Sequence, residues 1–144
     1  SMLLLKQRSG RRAIVLLSDG RDENNPGTAP GSTHTLADVL ALVRETDTVV
    51  YAIGLGSNVD RPALERIAEL SGGTATFPLE ATALEGEYRR VLEALRQRYV
   101  VGYTSTNPAR DGAWRNVVIA ARPDGVTIRS AGGSRAPVRA VPPQ

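Results

Sequence analysis

Two kinds of hydrophobic pattern alternate along most of this chain. The first is an unbroken apolar run, seen in Ile14-Val15-Leu16-Leu17 and again in Val49-Val50-Tyr51-Ala52-Ile53. Short runs without polar alternation predict strands covered on both faces, as in a parallel α/β sheet. The second is a stripe at helical spacing. Leu36, Val39, Leu40 and Val43 form one stripe, and Leu64, Ile67 and Ala68 form another. Leu84, Tyr88, Val91, Leu92, Leu95 and Tyr99 form the longest. The order strand, helix, strand, helix predicts βαβ units.

Local punctuation sharpens these elements. The first helix starts at about Thr35, after a polar loop over 20–32 that is rich in Gly, Pro and Asn. Asp60 is suited to cap the second helix, with Pro62 in its first turn and Ser71-Gly72-Gly73 as its stop. A short third strand falls at 74–77. Thr82-Ala83-Leu84-Glu85 has the form of a capping box for the longest helix. Residues 3–10 read as the end of a helix or a linker, with Ser9-Gly10 closing it.

Beyond the third helix the pattern turns to short strands, at 99–103, 114–121 and 126–130. Arg122-Pro123-Asp124-Gly125 between the last two is a hairpin signal. The expected organisation is therefore an α/β portion over 1–97, a β-strand and hairpin extension over 98–131, and a disordered Pro/Gly-rich tail over 132–144. The fold class is α/β, a three-layer Rossmann-like parallel sheet with flanking helices, followed by a small antiparallel β extension.

Composition narrows the functions. A chain of 144 residues with 41% hydrophobic content fits one domain of ordinary size. The absence of cysteine excludes disulfides, thiolate metal sites and cysteine nucleophiles. The net charge is +3, and every basic residue except Lys6 is an arginine. These arginines are scattered instead of forming the stripe that nucleic-acid binding wants, so no nucleic-acid partner is expected. No apolar run approaches a membrane span, and Met2-Leu3-Leu4-Leu5 is too short for the core of a signal peptide. The opening Ser1-Met2 resembles the remnant of a cleaved tag, which implies a natural chain that extends upstream.

Candidate chemistry centres on the ends of the two long strands. Asp19 follows the first strand, where parallel sheets bind ligands. Two readings stay open for it. It is a metal ligand, helped by Ser18 or by Asp22 and Glu23, or it caps a turn through its carboxylate. Gly54-Leu55-Gly56 begins like a dinucleotide fingerprint, but Val59 stands where the third glycine belongs, and a tight turn is the plainer reading. His34, the one histidine, reads as a surface or capping residue. Glu65, Glu69, Glu85 and Glu87 read as solvated charge on outer helix faces. Trp114 and Tyr103 read as core aromatics of short strands. No nucleophile and base are spaced as a catalytic pair, and there is no Gly-x-Ser-x-Gly elbow.

The order Ser18-Asp19-Gly20, helix, then a strand running into Gly54-Leu55-Gly56 resembles the second half of a von Willebrand factor A domain of the bacterial "VWFA-related" group. The likeness runs over about 11–103. Asp111-Gly112-Ala113-Trp114-Arg115 is similar to the β extension that such domains often carry. After Arg129 the chain departs from the family habit, since no Gly-aromatic pair follows. The resemblance implies a non-catalytic module that binds a protein partner through a metal-ion-dependent adhesion site holding Mg²⁺ or Mn²⁺. In that site Asp19 would be a ligand, and Ser18, Gly20, Ser57 and Asn58 would lie close to the bound group. The Asp-x-Ser-x-Ser loop of the family occurs nowhere in the chain, so the site here is partial. An exported or cell-envelope location in a bacterium is a further implication. In the family sheet another strand lies beside 14–17. Without it that strand is an open edge, which predicts a homodimer or a swapped oligomer. The alternative reading is a flavodoxin-like or nucleotide-binding α/β domain of an enzyme subunit, and a third is a structural assembly module.

Overall fold

A computed structural model describes residues 12–23, 28–99, 101–120 and 127–137. Strand β1 (Arg12–Ser18) leads through a loop into helix α1 (Leu36–Thr46), then β2 (Thr48–Gly54), α2 (Arg61–Ser71) and the short β3 (Ala75–Thr76). A 3₁₀ turn over Ala81–Ala83 opens α3 (Leu84–Arg96). Strands β4 (Trp114–Asn116) and β5 (Gly133–Arg135) follow. The main sheet has three strands in the order β1-β2-β3, all parallel, and β4 pairs antiparallel with β5 in a separate sheet.

β2 is the centre of the fold because every one of its residues is buried. Its alternating side chains face different helices. Val50 packs with Val43 of α1 and Ile67 of α2, supported by Leu16, Val39, Leu40 and Leu70. Ala52 meets Leu64 and Ala68 of α2, with Val59, Ala75 and Phe77 around them. On the opposite face Val49 and Tyr51 meet Val91 of α3, with Ala13, Ala94 and Leu95 beside them. The sheet thus has α1 and α2 on one face and α3 on the other. Ser71, the last residue of α2, ties that helix to β2: its hydroxyl accepts from Val50 N at 2.8 Å and donates to Ala68 O at 2.7 Å.

The helix ends follow the sequence signals, with one exception. Thr35 caps α1 in a full capping box with Asp38. Asp60 caps α2 by accepting from Ala63 N at 3.1 Å, and Gly72 closes that helix in the left-handed conformation with φ of 76°. The capping box expected over 82–85 does not form. Thr82 Oγ1 bonds Glu80 Oε2 at 3.2 Å instead, and α3 starts at Ala83 without a side-chain cap. The preceding 3₁₀ turn already holds Ala83 in helical geometry, so the extended backbone that such a box requires is absent.

The extension differs most from its expected form. Residues 99 and 101–103 are not a strand, nor are 127–130, and the strand expected over 114–121 is cut to Trp114–Asn116. Its partner is not the 126–130 segment but Gly133–Arg135, a stretch whose composition predicts a disordered tail. Tyr103, expected in the core, is exposed and reaches Ser134 through its hydroxyl at 2.8 Å. Arg115 grips both oxygens of Asp111 at 2.9 and 3.1 Å, which pins the loop before β4. The helix end read at 3–10, the turn at 122–125 and the tail from 138 onward lie outside the described residues.

Candidate functional site

The parallel register of β1 and β2 sets Ser18 opposite Gly54. Both candidate motifs therefore emerge at the same, carboxyl end of the sheet. A main-chain bond joins their loops, since Asp60 N donates to Asp19 O at 2.7 Å. Glycine is required at the two junctions for different reasons. Gly20 adopts φ of +77°, and a Cβ there would lie 2.9 Å from Asp60 O, so the β1 loop rests directly on the start of α2. A Cβ on Gly54 would fall 2.6 Å from Phe77 Cδ1 and 2.8 Å from Val59 Cγ1, so this residue leaves room for packing. Arg61 stacks over that same Phe77 ring, 4.5 Å from its centroid.

A shallow, open cleft lies between the two loops, lined by Arg21, Asp22, Glu23, Asn58, Val59 and Asp60. Of the residues that the sequence singles out, Asn58 and the two acids Asp22 and Glu23 form part of its wall. Asp19 is exposed at the rim, and its Oδ1 accepts from Arg21 N at 3.2 Å. Ser18 makes the equivalent turn, its hydroxyl accepting from Gly20 N at 2.9 Å. The turn-capping reading of Asp19 is therefore realised, through one of its two carboxylate oxygens. Ser57 is exposed on the loop after β2 and does not line the cleft.

The acidic groups of the cleft are largely committed. Glu23 is ion-paired with Arg21, and Asp60 caps α2. Among the described residues, no three His, Asp or Glu side chains gather as a metal-holding group. Arg21 and its pair with Glu23 carry no recognisable sequence motif; only the fold of the loop joins them.

Two other sequence readings meet the structure away from this cleft. His34 is exposed in a surface turn, where Ser32 Oγ accepts from His34 N at 2.9 Å and donates to His34 O at 3.0 Å. Glu87, read as solvated, is buried against the sheet and bonds Arg90 at 2.6 Å. It lines a second cleft with Arg90, Thr74, Thr76 and Arg129, between β3 and α3. The helical spacing that put Glu87 outside assumed an inward face centred on Tyr88 and Leu92, and those two residues are exposed.

No family model and no curated protein match this chain. Among solved structures, the chain is similar to the crystal structure of an uncharacterized membrane-spanning protein from Vibrio fischeri. The identity is 24% and the TM-score 0.48, over 61% of this chain and 48% of that one, so the match spans about half of that protein. No helix among the described residues is long and apolar enough to cross a membrane. What holds for this chain is an α/β arrangement, a three-stranded parallel sheet with helices on both faces, carrying a small antiparallel sheet.

Proposed function

We propose that this chain is a protein-recognition module of the von Willebrand factor A type, acting without catalysing a reaction. The observation that supports this reading is the pairing of Ser18 with Gly54 across parallel strands. Ser18-Asp19-Gly20 and Gly54-Leu55-Gly56 share one sheet end, where α/β sheets carry their ligands. In this reading Asp19 lends its second carboxylate oxygen to a Mg²⁺ or Mn²⁺ ion. The remaining oxygens come from outside the described residues, including an acidic group of the partner protein. Asn58 and Ser57 flank the contact from the second loop.

The test is a thermal melt of the chain in EDTA, in Mg²⁺ and in Mn²⁺, repeated on Asp19→Ala. Binding to the folded state alone raises stability by about 2.7 kcal/mol at a hundredfold excess over the dissociation constant. A rise that Asp19→Ala abolishes makes Asp19 a working ligand in this chain by itself. A rise that the variant keeps overturns metal-dependent recognition through Asp19, and no rise with either metal, the outcome expected of a partial site without its partner, means that this chain holds at most one corner of the site. A shift with nucleotides or flavins instead would favour a nucleotide-binding α/β domain.

A further inference from the structure

α3 turns a charged side chain inward. Glu87 stands one turn before Val91, which packs on β2, so the helical period sets both against the sheet. Glu87 is only 8% exposed, and its ion pair with Arg90 engages Oε1 alone. That pairing does not account for the burial. Glu85 and Arg89 make the same kind of pair on the same helix, also at 2.6 Å, with both side chains largely in solvent. An apolar residue at 87 would fill the position without the cost of burying a charge. The facing wall is polar as well. Ala75 of β3 packs in the cluster of Leu64 and Ala68, so strand alternation turns its neighbours Thr74 and Thr76 toward α3. Arg129 reaches the same place from the extension, whose 130–131 backbone rests on Gly72 at the end of α2. Between these walls is a cleft of about 320 Å³, floored by Ala52, Val91 and Ala94. That volume falls at the lower end of the roughly 300–1,000 Å³ of small-ligand sites.

We propose that this cleft binds a small amino-carboxylate zwitterion, with its ammonium group on Glu87 and the threonine hydroxyls and its carboxylate on Arg129. The two ends follow from the donor and acceptor types. An ammonium group has three donors and no acceptor, and Glu87 Oε2 with the hydroxyls of Thr74 and Thr76 supplies acceptors for it. A guanidinium presents a planar fork that fits a carboxylate. Glu87 pairs with Arg90 and not with Arg129, although all three line the cleft, which leaves Arg129 to the ligand. The charges also select between ligand classes. A plain amine meets repulsion from two guanidiniums, and a plain carboxylate meets repulsion from Glu87. A zwitterion meets an opposite charge at each end, and its methylenes lie on Val91 and Ala94. This cleft shares no residue with the one beside Asp19, so the inference is independent of the metal-dependent reading.

The experiment is a titration of the whole chain followed by amide chemical shifts. The probes are ω-amino acids from glycine to 6-aminohexanoate, with butylamine and butyrate as single-charge controls. At least one amino acid should bind saturably, with shifts centred on 74–76 and 87–94. Each control should bind about tenfold more weakly, or less, as the loss of one charged hydrogen bond implies. Glu87→Gln keeps the size of the side chain and removes its charge, and should weaken the zwitterion by a similar factor. Arg129→Ala, at an exposed position where folding is not at stake, should bring the zwitterion down to the affinity of butylamine. Nα-acetyl-lysine carries both groups as the end of a peptide does. Tighter binding of it than of the ω-amino acids assigns the site to a chain that ends in lysine, and weaker binding assigns it to a free amino acid. Absence of saturable binding by every zwitterion, binding of butylamine or butyrate as tight as theirs, or affinity that Arg129→Ala leaves unchanged overturns the proposal.

Discussion

The two faces of the β1-β2-β3 sheet are built to different completeness. On the face of α1 and α2, the buried side chains interlock: Val43, Val50 and Ile67 in one cluster, Ala52, Leu64 and Ala68 in the next, with Leu16 shared between them. On the face of α3, Val91 is the one buried apolar residue that the helix contributes, and the other buried residue is the carboxylate of Glu87. Tyr88 and Leu92 of α3 are exposed, as are Val15 and Leu17 of β1 on that side. The contrast teaches that an amphipathic stripe identifies a helix without stating what covers the stripe. Leu84, Tyr88, Val91, Leu92, Leu95 and Tyr99 follow the helical period, yet the side that meets the sheet holds Glu87, Val91, Ala94 and Leu95 and leaves Tyr88 and Leu92 exposed. Among the described residues no strand lies beyond β1 to meet the exposed Tyr88 and Leu92.

Substitutions on the two faces should separate them most clearly. Leu64, 1% exposed, lies in the interlocked face. Leu64→Ala is expected to lower the unfolding free energy by about 2–5 kcal/mol. Leu92→Ala on α3 should change it by no more than about 0.5 kcal/mol. Urea unfolding at a concentration that holds the association state constant measures both. Equal losses would mean that the α3 face is as well covered as the other.

The next effect probes how far the interlocked face reaches toward the cleft. Phe77 and Val59 belong to the cluster of Ala52 and Leu64, and both press on Gly54. Gly54→Ala forces an extra carbon against them and should cost about 1–3 kcal/mol. A neutral result would show that the loop after β2 moves freely.

Helix starts give a smaller contrast between the same two faces. Thr35→Ala removes a working cap from α1 and should cost about 1 kcal/mol. Thr82→Ala, ahead of α3, should fall within a few tenths of a kcal/mol, since that side chain caps nothing in the helix. If Thr82→Ala costs as much as Thr35→Ala, the capping box over 82–85 forms in solution.

The smallest effect is one of pH. The Asp38 carboxyl is held below its ordinary range by the Thr35 backbone N–H and then by the Thr35 hydroxyl, both at 2.8 Å, with a lesser contribution from the charge of His34. A carboxyl whose pKa is depressed by folding stabilises the folded state above its unfolded value, and that contribution is lost as pH falls through the folded value. Asp38→Asn should therefore unfold with a shallower dependence on acid than the parent chain. An unchanged acid slope in denaturant titrations at falling pH would mean that the carboxylate contributes nothing to folding.

The elements read from the pattern match the structure most closely where local chemistry and packing agree. The runs at 14–17 and 49–53 are β1 and β2, each longer by a residue or two at its ends. Asp60, Pro62 and Gly72 bound α2 as their types predict, because a cap, a fixed φ and a left-handed stop depend on neighbours in the chain. The candidate site was legible in part. That Asp19 ends a strand follows from the run before it. That its carboxylate turns back to Arg21 N, and that Arg21, Asp22, Glu23, Asn58 and Asp60 enclose a cleft, depends on how two loops meet.

By itself, the sequence determined the periodic elements, their order, most of their caps and the strand-end position of Asp19. Each of these is a property of a few consecutive residues, governed by side-chain period and backbone preference. Only the tertiary structure decided which line of α3 faces the sheet, that Glu87 is buried and that β4 takes Gly133–Arg135 as its partner. Those outcomes depend on which surfaces are available to be covered, and burial is settled by neighbours far apart in the chain.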